Sequence, residues 1–467
     1  MNGLDAPEVS VVVPWYRDQN GLDRLLVALD MQDFPAGCFE VVVADDGSPE
    51  PPRVGTHPYA VRIVRQSDDG FRAAAARNLG AGTARGQVPV FLDGDMMPEA
   101  GFLAAMHHAV VSAARPMLCV GRRRHADLTG WDLDMVRRWL DAHPRGSAEG
   151  DMPPRPPVLE EPQWLAEGYA ITRNLAGADD TSYRFVISAA MALPAQHFAE
   201  LGGFAEFRGY GGEDWELAHR WRLSGGSLCH VPQAVAWHDG PDFAGRDSTE
   251  QRRVDKDAEA LRLAPLITVP GARDPRLVWT VPDVAVTLQA VALTPAQTLS
   301  ILAPLVTNTD CHVWVTGLDE VVADALADPR IHTVGEPPAG VRWLVRAREV
   351  GVLSGITLAG LIGQAVAAGQ DLADGLEDPG SQAPLTACHV PTGRTWPLHP
   401  APSQWTPVPT PATSVEELWR GLANGDFPGP SCPPVPQPPQ PQDQTPPTKP
   451  PTRRTPLPTL TPCPGAT

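Results

Sequence analysis

The stretch Val9-Ser10-Val11-Val12-Val13-Pro14-Trp15-Tyr16 decides the fold class. Val9 to Val13 is a short β-branched run, which suits a strand, and Pro14 follows at once. From Gly21 to Leu29, Leu22, Leu25, Leu26 and Leu29 recur at helical spacing, and Glu40 to Ala44 is a second Val-rich run. This is a β-α-β opening. Ala60 to Val64 and Val88 to Leu92 add two strands, with the Ala-rich stretch Arg72 to Ala84 between them as a helix. Alternating strands and helices predict an α/β fold with a mostly parallel sheet and ligand chemistry at the strands' carboxyl ends.

Beyond this opening, Gly150 to Pro162 is Pro-rich, and Trp164 to Asp180 reads as loop with some helix, an excursion near the site. Phe185 to Leu193 is expected as a strand and Asp214 to Leu223 as a helix. Around Pro265 to Pro275 the signals are those of a linker, after which Val284 to Val291, Cys311 to Thr316 and Arg330 to Val334 read as strands and Pro295 to Leu305 as a helix. The order and spacing echo the start of the chain, with Thr316-Gly317-Leu318 where the first copy has Asp45-Asp46-Gly47. Two readings stay open: a degenerate second copy without catalytic carboxylates, or an unrelated α/β appendage. After Phe427 roughly two residues in five are proline, a composition that packs no core and implies a disordered tail. Pro447-Thr448-Lys449-Pro450 there fits a loose pattern for docking a protein partner. The expected division is 1–265, 266–427 and 428–467.

The composition sets limits on function. The 467 residues carry 37 Lys+Arg against 55 Asp+Glu, a net charge of −18, and 42% are hydrophobic. Such a chain can bury at least one sizeable core, which excludes wholesale disorder. The acidic balance argues against a general nucleic-acid binder despite the local run Arg122, Arg123 and Arg124. Seven scattered cysteines without a CxxC pair favour free thiols in a reducing compartment. The first residues have neither a basic start nor an apolar stretch long enough for a secretory signal. The uncharged stretch Val350 to Gln370 is diluted by Gly, Ser354, Thr357 and Gln364, and reads as a buried soluble segment rather than a membrane span. These readings place the chain in the cytoplasm, with peripheral membrane contact left open, and the Ala-, Pro-, Gly- and Arg-rich usage fits a GC-rich bacterial genome.

Four constellations carry chemistry. Asp45-Asp46-Gly47-Ser48 follows a strand, where a carboxylate can accept hydrogen bonds from a base or ribose, although Asp-Gly is also an ordinary turn. Asp93-Gly94-Asp95 follows the run Val88 to Leu92; two such carboxylates can share Mg2+ or Mn2+ with a diphosphate, or simply form a polar turn. In Gly209-Tyr210-Gly211-Gly212-Glu213-Asp214-Trp215-Glu216 the glycines allow close backbone approach, and the acids lie where a helix begins. An acid there can act as general base toward an acceptor hydroxyl, or serve only as a helix-start residue. His238, after another apolar run, is a candidate third protein ligand to a metal already held by a carboxylate, against the alternative of a satisfied core histidine.

In this order and spacing, Val9 to Tyr16, Val41 to Ser48, Ala76-Arg77-Asn78 and Phe91 to Asp95 resemble the inverting family 2 glycosyltransferases of GT-A fold. The segment Gly202 to Glu216 is similar to the C-terminal motif of β-1,4-galactosyltransferases, polypeptide N-acetylgalactosaminyltransferases and chondroitin polymerase domains. The resemblance covers about the first 240 residues and implies a metal-dependent transfer from a nucleotide-diphosphate sugar, with uridine as the expected base, to an acceptor hydroxyl. It implies that Pro14, Tyr16, Asp45 and Asp46 hold the nucleoside and that Arg77 and Asn78 lie beside the nucleotide. Asp93 would reach the ribose or the metal, and Asp95 and His238 would bind Mn2+ or Mg2+. Asp214 would be the base and Glu213 would contact acceptor or donor sugar. Tyr210 stands where the galactosyltransferase motif usually has Trp, and Trp215 replaces a third acid, so sugar preference does not carry over. The acceptor, whether glycan, peptide or small metabolite, leaves no signature. A sugar nucleotidyltransferase would need a Gly-rich basic loop where Val13-Pro14-Trp15-Tyr16 stands. The competing class is a catalytically inactive glycan-binding or assembly subunit of the same fold.

Overall fold

The computed structural model describes residues 6–142, 156–241, 249–291, 293–307, 309–347 and 385–389. The front of the Pro-rich stretch 150–162, the apolar stretch 350–370 and the tail 428–467 with its Pro447-Thr448-Lys449-Pro450 pattern lie outside the described residues.

The opening folds as its apolar spacing predicts. It forms β1 (Val9–Trp15), α1 (Gln19–Asp30), β2 (Phe39–Asp45), β3 (Ala60–Arg65), α2 (Ala73–Thr83) and β4 (Val88–Leu92). The chain continues through β5 (Met96–Pro98), α3 (Phe102–Val111), β6 (Met117–Ala126), α4 (Leu133–Ala142), β7 (Val158–Leu159) and α5 (Gln163–Ile171). It closes this half with β8 (Ala190–Ala192), α6 (Ala195–Glu200), α7 (Glu213–Leu223), β9 (Ser227–Asp239) and α8 (Thr249–Leu263). The sheet order is β3-β2-β1-β4-β8-β6-β9-β5, with β7 on β6. The four strands from β3 to β4 run parallel, while β8 and β5 insert antiparallel.

Both faces of the sheet are covered, which is why the central strands are apolar without alternation. Val11 and Val13 pack with Leu22, Leu25, Leu26 and Leu29 of α1 and with Phe102, Leu103 and Met106 of α3. Val12 and Phe91 face the other way, toward Leu165 and Tyr169 of α5 and Leu217 and Trp221 of α7. The site therefore sits on a framework held from two sides.

A second sheet is built from β10 (Val284–Gln289), α9 (Pro295–Val306), β11 (Cys311–Thr316), α10 (Glu320–Ala325), β12 (Ile331–His332), β13 (Trp343–Ala347) and β14 (Leu385–His389). Its order is β12-β11-β10-β13-β14, and the first four are parallel. This is the same third-second-first-fourth order as β3-β2-β1-β4.

Several boundaries differ from the sequence reading. Of Phe185 to Leu193 only Ala190–Ala192 is strand, and Ser182–Phe185 is a 3-10 turn. Ser188 N–H goes to the Asp214 carboxylate and not to a neighbouring strand, while, one residue on, Ala189 O accepts Asp93 N–H and continues the β4–β8 register, in which Leu92 faces Ala190. Arg330 to Val334 shortens to Ile331–His332 at a sheet edge where Val334 is exposed. Trp164 to Asp180 holds a regular helix, α5, followed by Arg173, Asn174 and Leu175 at φ 52°, 57° and 66°. The described thiols Cys38, Cys119, Cys229 and Cys311 are free, and among the described residues no helix is long and apolar enough to cross a membrane.

Leu25 is fully buried between α1 and the sheet. Leu25→Ala should cost about 2–5 kcal/mol in denaturant unfolding; a loss below about 1 kcal/mol would show that the α1 face is not core.

Candidate active site

The carboxyl ends of β1, β2 and β4 converge because their pairing is parallel and in register, Trp15 opposite Asp45 and Val12 opposite Phe91. Pro14 is the penultimate residue of β1, and the half-exposed Tyr16 just beyond the strand donates its hydroxyl to Asp68 Oδ2 at 3.3 Å. Arg17, at φ 62°, lays its guanidinium 4.6 Å from the Tyr16 ring centre. Asp45 is fully buried, where Oδ1 accepts Ser48 N–H at 2.8 Å and Oδ2 lies 3.5 Å from Arg65 Nε. It caps its own turn. Asp46, also buried, accepts from Gln66 Nε2 at 2.5 Å and from Arg72 N–H at 2.8 Å. Gly47 has φ +82°, and a Cβ there would stand 2.2 Å from Asp68 N. Only glycine fits where the two loops cross.

Asn78 spends its side chain on the chain's other half. Its Oδ1 accepts Phe204 N–H at 2.9 Å, and Nδ2 donates to Phe204 O at 2.9 Å and to Glu206 Oε1 at 3.1 Å. A Cβ on Gly203, at φ +77°, would meet Asn78 Oδ1 at 2.5 Å. The Gly202-Gly203 pair thus lets α2 pin the loop leading to the acidic cluster.

Arg77, on the same helix, is the centre of the site. Its Nη2 donates to Asp93 Oδ1 at 2.6 Å and its Nη1 to Glu213 Oε1 at 2.9 Å, with the side chain buried. Burial works against its charge, but Asp93 and then Glu213 outweigh that and hold the guanidinium firmly protonated. The aspartate after β4 and the first residue of α7 are thereby joined across 120 residues of sequence.

Asp214, the second residue of α7, accepts Ser188 N–H on Oδ2 at 3.3 Å and Trp215 N–H on Oδ1 at 2.9 Å. Burial first and then the neighbouring Glu213 charge push its pKa up to about 7, against the pull of Ser188 N–H, Arg77 and Trp215 N–H. The tyrosine hydroxyl of Tyr169 also feels the Asp214 charge and is pushed up, mainly by burial. A carboxyl near 7 at the start of a helix, preceded by Gly212 at φ +96°, is poised to take a proton at neutral pH.

Asp95 and His238 meet because β5 pairs antiparallel with β9, placing Met96 opposite His238. His238 Nε2 lies 3.2 Å from Asp95 Oδ2, and its Nδ1 lies 3.2 Å from Gly240 O. His125 Nδ1 lies 3.1 Å from the same carbonyl, its ring centre 5.0 Å from that of His238. Among the described residues no group of three or more His, Cys, Asp or Glu is arranged to hold a metal.

The residues singled out from sequence thus fall into three groups: Tyr16 and the Asp45-Asp46 turn, each bonded to the segment 66–72 or within the turn; Arg77 with Asp93, Glu213 and Asp214; and Asp95 with His238. Sequence reasoning missed Gln66, Arg72, Ser188 and His125. Arg72 was visible just ahead of Ala76-Arg77-Asn78, and His125 is the penultimate residue of β6, paired opposite His238, the penultimate residue of β9; nothing local marked Ser188.

Two family models match parts of the chain. Residues 10–147 match the model described as Glycosyl transferase family 2, and residues 177–238 the one described as N-terminal domain of galactosyltransferase. The matched regions are similar to glycosyltransferases of the family 2 type, and the mixed, mostly parallel sheet described above is consistent with a GT-A fold. Validoxylamine A glucosyltransferase of Streptomyces hygroscopicus subsp. limoneus is 32% identical over 53% of this chain and 54% of its own length. Hyaluronan synthase of Pasteurella multocida is 28% identical over 47% of this chain and 23% of its own. Chondroitin synthase of Pasteurella multocida (strain Pm70) is 26% identical over 53% of this chain and 26% of its own. The chain spans about half the length of the first of these relatives and about a quarter of the other two.

If Glu213 raises the Asp214 pKa, removing its charge must lower it. In Glu213→Gln, 13C NMR titration of the Asp214 carboxyl should show its midpoint moved below about 7 toward the ordinary carboxylate range; an unmoved or higher midpoint would remove Glu213 as a cause.

Proposed function

We propose that the protein transfers a sugar from a nucleotide-diphosphate donor, a uridine one, to an acceptor hydroxyl with inversion at the anomeric carbon. The observation that carries this reading is the Asp214 carboxyl held near neutrality beside the Arg77 bridge to Asp93. Pro14, Tyr16 and the Asp45-Asp46 turn face the nucleoside, with Asp45 shaping the turn from within. Asn78 sets the 203–206 loop against α2 and so acts at one remove from the nucleotide.

Asp214 removes the acceptor proton while the oxygen attacks from the face opposite the leaving diphosphate, and this single displacement inverts configuration. Arg77 holds Asp93 and Glu213 in place during that step, so that Glu213 can orient a sugar hydroxyl. Asp95 and His238 would hold Mn2+ or Mg2+. Their donor atoms stand 3.2 Å apart, as two ligands on one cation do, and a Gly240 carbonyl beside Nδ1 leaves Nε2 as the ligating nitrogen. Two protein ligands suit a cation whose remaining positions are taken by diphosphate oxygens, and its contribution when bound is to offset charge on the departing group.

Relatives named for validoxylamine A, hyaluronan and chondroitin all act on polyhydroxylated compounds; we assign this chain an acceptor of the same kind. Donors of this type are made in the cytoplasm, where we place the activity. The test is nucleotide release from UDP-, GDP- and TDP-sugars with manganese or magnesium and polyhydroxylated acceptors. One donor should be turned over by the wild type, and Asp214→Asn should lose about 100-fold or more in rate. Asp95→Ala should raise the metal concentration needed for half-maximal rate. Saturable glycan binding without turnover of any donor would instead make the chain an assembly subunit.

A further inference from the structure

The role of the second sheet is written in how it touches the first half. At one contact Arg342, just ahead of β13, donates from Nη1 to Asp180 Oδ2 at 2.7 Å. Its Nε and Nη2 hold both oxygens of Asp283 at 2.6 and 2.8 Å. Asp180 stands two residues before the 3-10 turn Ser182–Phe185. Within that turn the Tyr183 ring sits edge-on to Trp215, at 5.9 Å, and to His219, at 6.0 Å, both on α7. Three residues beyond the turn comes Ser188, whose N–H donates to Asp214.

At the other contact Thr268 Oγ1 donates to Gly340 O at 3.3 Å, while Thr268 N–H donates to the buried His219 Nε2 at 3.3 Å. Gly340 and Arg342 are two residues apart. One short segment of the second region therefore reaches α7 by two independent routes, one through the Asp180–Ser188 segment and one through His219.

We infer, resting on the function proposed above, that residues 340–342 position the catalytic helix: through Asp180 and Thr268 they hold α7 and the Ser188 N–H in register with the Asp214 carboxylate. Asp180 and Thr268 are positioning residues, acting through Ser188 and His219 rather than on substrate. The physical case rests on burial. Arg342 is buried and its guanidinium fork is rigid, so it transmits the placement of the second sheet to Asp180 with little slack. The same arrangement makes the link separable from folding. Without Asp180, Arg342 still has both oxygens of Asp283, so no buried charge is left unpaired. Thr268→Val removes the hydroxyl at nearly constant shape, and with it both the bond to Gly340 O and the 3.3 Å contact of Oγ1 with His219 Nε2, but leaves the backbone donor to His219 in place, so Asp180→Ala is the variant that isolates the 340–342 link.

The test uses the full chain and the variants Asp180→Ala and Thr268→Val. Hydrogen exchange by mass spectrometry should speed up across residues 213–223 in both, while β1 to β4 keep wild-type protection. With the donor that the wild type turns over, kcat should fall about 10- to 100-fold while donor KM stays within about twofold, because the base is misplaced and the nucleotide side is not. Unchanged exchange at 213–223 in both variants would overturn the inference. So would exchange that accelerates equally in α7 and in β1 to β4, which marks general destabilisation. If the wild type turns over no donor, the functional reading fails on its own account, and the exchange pattern still decides whether these residues hold the helix.

Discussion

A single buried guanidinium organises this site. Arg77 lies between Asp93, at the end of a parallel strand, and Glu213, at the start of a helix some 120 residues later. Asp93, Glu213 and Asp214 gathered in a partly desolvated space would repel one another, and one guanidinium cannot neutralise three carboxylates. Asp214 is the member with only backbone N–H donors, and there burial first and the Glu213 charge second raise the pKa to about 7. The burial that makes the cluster costly is thus the main cause that brings the Asp214 carboxyl toward neutrality. The positive end of α7 helps the cluster accumulate there.

Around Arg77 the two halves of the first sheet are tied loop to loop. Asn78 grips the Phe204 backbone, Arg208 pairs with Asp69 at 2.6 Å, and Phe71 leans on Tyr210 with ring centres 5.7 Å apart. The first tie joins α2, and the other two the loop after β3, to the loop that runs from Gly202 to the start of α7. Glycines with positive φ at 209, 211 and 212 let that loop pass close to α8, where Arg262 donates to the Tyr210 carbonyl at 2.6 Å. The loop after β3 and the start of α7 are therefore mechanically related; in the function proposed above these are the donor and acceptor sides.

Much of this was legible in the residues. Val9 to Val13, the leucines of α1 and the Ala-rich α2 announced the parallel core, because apolar spacing is a local property. Asp93, Asp214 and Arg77 stood out because charges beside strand ends and glycines are rare enough to notice. What was hidden depended on distant partners. Asp45 spends Oδ1 on its own turn and faces Arg65 with Oδ2 at 3.5 Å, and Asn78 spends its side chain on a loop 126 residues away. The strand expected from Phe185 onward is broken because Ser188 gives its backbone N–H to Asp214, a demand no local pattern encodes. The weak echo in the second region corresponds to a shared parallel strand order, although the carboxylates of the first copy have no counterpart at Thr316-Gly317-Leu318.

The claim at the centre of this account is that donor-side and acceptor-side carboxylates are coupled through Arg77. A double-mutant cycle on the transfer rate, Asp93→Asn against Glu213→Gln, measures that directly, since Arg77 keeps one carboxylate in each single variant. The account predicts strong non-additivity, a coupling of about 0.5–3 kcal/mol. Additive losses, with coupling near zero, would mean that Arg77 serves two unrelated acids and would contradict it.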